Sequence, residues 1–392
     1  MGVEKKTATR RRHSASSSTH RTGGRRKIRY AVVGQGYIAQ AAVLPAFEHA
    51  RKNSALAALI SDDPLKLKKL SGKYGVECIT GYDEYDALMA SGEIDAVYIA
   101  LPNHLHLDYT LRAARAGVHV LCEKPMAVTD AECAQMQREC KKHGVKLMIA
   151  YRLHFDKANL TAIEIVKSGK LGEPRIFNST FTMQVNDADN IRLRRETGGG
   201  VLYDIGIYCI NAARYLFRDE PTEVFAVTAS DGERRFREVE EMASVIMRFP
   251  GDRLATFTCS FGAAKASAYE VVGTRGSLRA APAYAYAEDL RHVVTIGRKS
   301  HERVFPQHDQ FAPQLLYFAD CILNDREPEP SGQEGRIDVR IINALYESAR
   351  TGQVVALPRM TKRARLASSQ QISRPAVDKP ALVHATPPSG KK

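Results

Sequence analysis

The segment Gly34-Gln35-Gly36-Tyr37-Ile38-Ala39 constrains this chain more than any other feature. It follows the apolar run Ile28–Val33 and opens a helical pattern that continues to residue 49. In a G-x-G-x-x-A segment at a strand-to-helix junction, the first glycine permits the tight turn. The second lets backbone approach a pyrophosphate, and a small third residue lets the helix pack on the sheet. The helix start adds amide donors and positive potential for phosphate. The bare motif also describes a glycine turn with nothing bound, so its surroundings decide.

Those surroundings are a βαβ series. Apolar runs at 28–33, 55–60, 94–101, 118–122 and 146–150 alternate with helix patterns near 37–49, 64–74, 83–90, 104–116 and 129–143. Short buried strands separated by 10–15-residue helices predict a parallel sheet. After residue 151 the rhythm changes. A helix near 156–168, a strand near 174–185 and a helix near 201–217 precede β-rich runs at 222–229, 242–249, 253–260, 268–272 and 292–296. Strands in succession predict an antiparallel sheet. Helices near 309–324 and 335–351 close this part. The expected fold is an α/β Rossmann domain with a parallel sheet over 28–150. An α+β domain with a large, mostly antiparallel open sheet follows over 151–357.

The chain's net charge of +13 raises the question of nucleic acid. Residues 1–27 hold +8 and residues 358–392 hold +7, so the body between them is slightly acidic. The basicity belongs to two Ser/Thr/Arg-rich tails that offer little apolar surface to offset their ordering entropy. Both are expected to be disordered and dispensable for chemistry, with no specific nucleic-acid role. Arg10-Arg11-Arg12 and Arg25-Arg26 lack the apolar stretch that an export signal requires, so a cytoplasmic location is expected. No run approaches the ~20 apolar residues that span a bilayer, so no membrane association is expected. The seven scattered cysteines form no CxxC pair and predict neither a metal site nor a disulfide framework.

Three further places bear chemistry. The second strand pattern ends in Ser61, where a fold selective for NAD would place an acid for the ribose 2′-hydroxyl. A serine with Lys66 nearby suits a 2′-phosphate, which predicts NADP over NAD. Asp62 would be that acid if the register shifted, and Ser61 also reads as a helix cap. Lys124 follows the run 118–122, at the sheet edge where ligands bind. There it can stabilise negative charge on oxygen, or be a surface lysine before a proline turn. Asp204 and Tyr208 lie four apart on one helix face. They read as an acid–base pair beside a glycine-rich loop, or as a dipole-paired acid and a half-buried ring.

Together these residues resemble the glucose–fructose oxidoreductase/inositol dehydrogenase (Gfo/Idh/MocA) family. The resemblance is carried by Arg26-Lys27-Ile28-Arg29-Tyr30-Ala31-Val32-Val33-Gly34, Glu123-Lys124-Pro125-Met126, Arg192-Leu193-Arg194-Arg195-Glu196, Asp204-Ile205-Gly206-Ile207-Tyr208 and Asp338-Val339-Arg340. It covers about 28–356 and points to the glucose–fructose oxidoreductase branch. It implies that Lys124, Asp204 and Tyr208 are catalytic and meet at the nicotinamide, with the Lys124 ammonium in hydrogen-bond reach of the Tyr208 phenol. It also implies that Tyr151-Arg152 and Arg192 lie beside the cofactor, and that Ser61 and Lys66 hold a 2′-phosphate. The expected cofactor-binding set is Gly34, Gln35, Gly36, Tyr37, Ile38, Ser61, Lys66, Leu101, Pro102, Asn103, His106, Glu123, Lys124, Arg152 and Arg192. That branch has a tryptophan where this chain has Ile191, and a proline-rich arm that helps retain NADP where this chain's arm is basic. Neither permanent retention nor a paired glucose/fructose reaction is therefore part of the expectation.

The expected activity is hydride transfer between NADP and a carbinol carbon of a sugar or polyol. One alternative is an NAD(P)-dependent dehydrogenase of another polyol, cyclitol or dihydrodiol. The other is a non-catalytic NADP-binding regulator, against which the presence of Lys124, Asp204 and Tyr208 argues. The resemblance also implies a homodimer or homotetramer formed through the second sheet.

Overall fold

The computed structural model describes residues 26–359 and 365–390. Six parallel strands make the first sheet: β1 (Ile28–Val33), β2 (Ser54–Ile60), β3 (Cys78–Thr80), β4 (Ala96–Ile99), β5 (His119–Cys122) and β6 (Leu147–Ile149). Their order is β3-β2-β1-β4-β5-β6. Successive residues of β1 serve opposite cores: Ala31 and Val33 face one apolar cluster, Tyr30 and Val32 the other. Helices on both faces explain why these strands read as continuous apolar runs. The helices are α1 (Leu44–His49), α2 (Pro64–Tyr74), α3 (Tyr85–Ala90), α4 (His106–Arg115) and α5 (Asp130–Lys142). A π-helical turn, Ala39–Val43, leads into α1.

A 3₁₀ turn, Arg152–Phe155, and α6 (Lys157–Lys167) lead into the second part. Its sheet contains β7 (Pro174–Thr182), β8 (Glu223–Ala229), β9 (Met242–Phe249), β10 (Arg253–Ser260), β11 (Ala266–Gly273), β12 (Gly276–Ala280), β13 (Leu290–Ile296), β14 (Lys299–Phe305) and β15 (Val355–Ala356). The order is β14-β13-β12-β11-β7-β10-β9-β8-β15. All pairs are antiparallel except β7 with β10. Strict alternation of buried and exposed residues along β9 marks one covered face and one open face. A second π-helical turn, Leu202–Gly206, leads into α7 (Ile207–Phe217), and α8 (Ala312–Leu323) and α9 (Gly332–Thr351) follow. α7 and α9 lie on the covered face.

Four strands depart from the expectation, the shortest being the two-residue β15 at the sheet's end. β3 is three residues long and half exposed, so it leaves no periodic signal. β12 is short. β14, Lys-Ser-His-Glu-Arg-Val-Phe, is exposed for six of its seven residues and is the polar edge of the sheet. Helix α8 also differs. It returns to the first sheet, where Phe311, Leu315, Phe318 and Ala319 pack with Tyr30, whose hydroxyl donates to Leu315 O at 3.2 Å.

The carboxyl-terminal tail corrects the expectation of disorder within 365–390. Leu366 is buried, and Ile372 and Val383 pack against the first-domain core. Ile372 N donates to Phe155 O, Gln370 Nε2 to Glu329 O and Arg374 Nε to His49 O. A few spaced apolar anchors suffice here, because Pro375, Pro380, Pro387 and Pro388 reduce the freedom lost on ordering. The amino-terminal tail up to residue 25 lies outside the described residues. Among the described residues, no helix is long and apolar enough to cross a membrane.

Candidate active site

The carboxyl ends of β1, β2, β4 and β5 open into a cleft of about 840 Å³, lined from the other side by the second sheet and the α7 entry. Gly34 turns the chain at φ +89°, and a Cβ there would sit 2.5 Å from Ala100 O. Only glycine fits that approach to β4. A Cβ at Gly36 would meet nothing within 4 Å, so open space faces this backbone. Gln35, Tyr37 and Ile38 line the same end, as do Leu101, Pro102 and Asn103 after β4.

At the end of β2, Ser61 and Lys66 line the cleft, whereas Asp62 and Asp63 do not. Asp62 Oδ1 accepts from Tyr82 N at 3.0 Å. Asp63 Oδ1 caps α2 by accepting from Leu65 N and Lys66 N, both at 3.0 Å. These bonds hold its carboxyl below the ordinary carboxylate range, with help from His384. Asp63, not Ser61, is therefore the cap. Ser61 is buried, and its Oγ accepts from Asp63 N at 3.2 Å.

The opposite end is cationic. Lys124 Nζ donates to Asp204 Oδ1 at 3.1 Å and to Asp204 O at 2.7 Å, while Arg192 Nε donates to Asp204 Oδ2 at 2.7 Å. Burial alone would push the Asp204 carboxyl up, but Arg192 and Lys124 outweigh it and hold it well below the usual range. Burial works against the Lys124 ammonium, but Asp204, Tyr208 and Glu123 raise it, so Lys124 remains a cation. Burial raises the Glu123 carboxyl, to which Tyr98 donates at 2.6 Å. Two cations lie over the Tyr208 ring: Lys124 Nζ is 5.0 Å and the Arg152 guanidinium 5.1 Å from its centre. The ammonium thus meets the face of the ring, and its hydrogen bonds go to Asp204 instead of the phenol, contrary to expectation.

Two expected positions lie elsewhere. His106 does not line the cleft; it is fully buried, with ring nitrogens 2.8 Å from Pro125 O and 2.9 Å from Leu101 O. It fixes the two loops that carry Lys124 and Pro102. Tyr151 turns away from the cleft and donates to Asp338 Oδ2 at 2.7 Å. The remaining expected residues all line the cleft.

Several lining residues escaped the sequence reading. Tyr286 lies 3.3 Å, hydroxyl to hydroxyl, from Tyr37 and 5.3 Å from the Arg152 guanidinium. Tyr284 O accepts from Arg152 Nη2 at 2.5 Å. The alternation Ala283-Tyr284-Ala285-Tyr286-Ala287 was their available signal. Pro387, Pro388 and Ser389 also border the cleft, from a segment with no periodic pattern. The open backbone at Gly36, the Ser61–Lys66 pair lining the cleft, with Lys66 Nζ 4.0 Å from the capping Asp63, and the cationic far end together fit a dinucleotide bearing a 2′-phosphate.

The sequence model of an oxidoreductase family with an NAD-binding Rossmann fold matches residues 28–151. That of the GFO/IDH/MocA C-terminal domain matches residues 159–279. The chain is 34% identical over 336 residues to the D-xylose 1-dehydrogenase [NADP(+)] of Haloarcula marismortui, covering 84% of this chain and 93% of that protein. Its fold matches the aldose–aldose oxidoreductase of Caulobacter crescentus complexed with glycerol, with a TM-score of 0.81 and 39% identity over 85% of this chain and 100% of that one. It also matches a 3-ketoreductase of Actinomadura kijaniata in complex with NADP and TDP-benzene, with a TM-score of 0.76 and 27% identity over 82% and 98% of the two chains.

Proposed function

This chain belongs to the GFO/IDH/MocA oxidoreductases, and from that premise we propose that it oxidises or reduces an aldose or related polyol, with NADP as cofactor. It is an enzyme of sugar CH–OH chemistry. The observation that carries the reading is the meeting of Lys124, Asp204, Arg192 and Tyr208 at one end of a cleft whose other end is a glycine loop. NADP, when bound, supplies the hydride chemistry. Gly34, Gln35, Gly36, Tyr37 and Ile38 hold its pyrophosphate end, with Leu101, Pro102 and Asn103 alongside, and Ser61 and Lys66 hold the 2′-phosphate. Glu123, Arg152 and Arg192 border its nicotinamide half.

Tyr208 takes or returns the substrate hydroxyl proton. Negative charge that develops on its oxygen or the substrate's lies in the field of Lys124 and Arg152. Asp204 is paired to two cations, so it remains ionised and accepts hydrogen bonds from sugar hydroxyls. The related xylose dehydrogenase and aldose–aldose oxidoreductase point to an aldose. The test is the nicotinamide absorbance of purified protein with NADP or NADPH and a panel of aldoses, polyols and cyclitols. Change with aldoses supports the reading. Change with cyclitols only, or with nothing in the panel, refutes it.

We further infer that the open face of the second sheet, where Ile176, Val227, Ile246 and Leu254 stand exposed, pairs with a second copy of the chain.

A further inference from the structure

The carboxyl-terminal segment reaches both lips of the cleft. On the first-domain lip, Val383 N donates to Gln40 Oε1 at 2.7 Å, and Gln40 Nε2 donates to Val383 O at 2.8 Å. Gln40 is buried in the π-helical turn after the glycine loop, and its Nε2 also donates to Gln35 O at 2.8 Å. The tail is thus tied through one side chain to the loop assigned to the pyrophosphate. Beside this contact, His384 Nδ1 lies 2.8 Å from Asp63 Oδ2, next to Ser61 and Lys66.

On the second-domain lip, Asn186 Nδ2 donates to Ser389 O at 2.9 Å. Between the two anchorages, Pro387 and Pro388 face the cleft. Adjacent prolines have fixed φ and resist collapse, so the crossing is stiff at that point. The cleft therefore has an outer wall drawn from the end of the chain.

We propose that residues 383–389 form a strap across the mouth of the dinucleotide cleft, which must lift before NADP can leave. The proposal rests on the reading of the cleft as the NADP site. The paired contacts at Gln40 and the contact at Asp63 lie beside the glycine loop and the Ser61–Lys66 end, so the strap closes the cofactor side of the cleft most directly. Cofactor exchange is then slow relative to turnover, with its rate set by breaking the paired Val383–Gln40 bonds.

The geometry offers a lock. A Cβ built on Gly390 would lie 3.8 Å from Asn186 Cβ, the usual separation in a disulfide, although the φ of +83° at Gly390 strains any side chain placed there. In the full-length Asn186→Cys/Gly390→Cys variant, NADPH release is measured by nicotinamide fluorescence after mixing the loaded protein with excess NADP. Oxidation should slow release by on the order of tenfold, and a reductant should restore it. Should the crosslink not form, Val383→Pro, which lacks the N–H that Gln40 accepts, gives the opposite reading: release should quicken by about the same factor. Equal release from oxidised and reduced protein, or no change in Val383→Pro, overturns the strap. Absence of NADPH binding in the wild-type chain overturns the cofactor reading, and the strap with it.

Discussion

Lys124 holds Asp204 twice, giving one bond to carboxylate Oδ1 at 3.1 Å and one to the backbone carbonyl at 2.7 Å. Lys124 belongs to the edge of the first sheet and Asp204 to the entry of α7, so this contact joins the two parts of the chain at the site of reaction. It also fixes the ammonium over the ring of Tyr208, the next turn of the same helix.

Lys124 and Tyr208 should therefore act as a unit. Tyr208→Phe is expected to lower turnover by roughly 10²–10⁴-fold, the usual size of an acid–base contribution. Lys124→Ala should fall in the same range, and the double variant should lose little more than either. NADP affinity in Tyr208→Phe should stay near wild type. Turnover within about threefold of wild type in Tyr208→Phe would remove its acid–base role and turn attention to Asp204.

Cofactor choice should follow residue 61. Asp62 and Asp63 are engaged elsewhere, leaving Ser61 and Lys66 toward the cleft. Ser61→Asp is expected to raise the KM for NADP by about tenfold, equivalent to about 1.4 kcal/mol, and to improve use of NAD. A wild-type enzyme that binds NAD more tightly than NADP contradicts the assignment.

A buried charge cluster predicts a pH response away from the active site. Arg214, on α7, contacts Glu220 at 2.5 Å, Glu334 at 2.9 Å and Asp338, all buried. Burial raises the Asp338 carboxyl to about 6, against the opposing pull of Arg214. A carboxyl raised in the folded state binds its proton there more tightly than in the unfolded chain. Its contribution is thus present below about pH 4 and is lost as pH rises toward 6. Asp338→Asn should flatten the fall of Tm across this window. A profile that still matches wild type assigns the slope to other groups.

The same cluster should be intolerant of losing its cation. Arg214→Ala leaves buried carboxylates without their partner, a change that costs about 3–5 kcal/mol. Denaturant unfolding is expected to show a loss of this size, and a loss below about 1 kcal/mol would mean that water or protons replace the cation freely.

Assembly has its own test. Ile246→Arg places a charge in the middle of the exposed sheet face without touching the covered side, where Val245 and Met247 are buried. Sedimentation should shift from oligomer to monomer. A wild-type chain that already sediments as a monomer ends the pairing proposal.

Much of this architecture was legible because periodicity survives where one face is buried. The strands Met242–Phe249 and Arg253–Ser260 and the helix Pro64–Tyr74 have the bounds that their patterns predict. β14 was hidden because an exposed edge needs no apolar residues. His106 was misplaced because a motif position does not reveal direction, and its ring turns inward to two carbonyls. The Arg214 cluster was illegible because its members lie far apart in sequence, at 214, 220, 334 and 338. The tail was misread because charge and serine content hid the spaced anchors Leu366, Ile372 and Val383.

The π-helical turn Leu202–Gly206 makes the site more sensitive to length than to identity. Within it, Ile207 N bonds back to Leu202 O, five residues earlier, so the turn holds one residue more than an α-helix would. An α-helix advances by about 100° per residue. Deleting a single residue here would let the helix close into ordinary register and swing everything beyond by roughly that angle. Tyr208 would then leave the two cations that lie over its ring, although every side chain of the site would still be present.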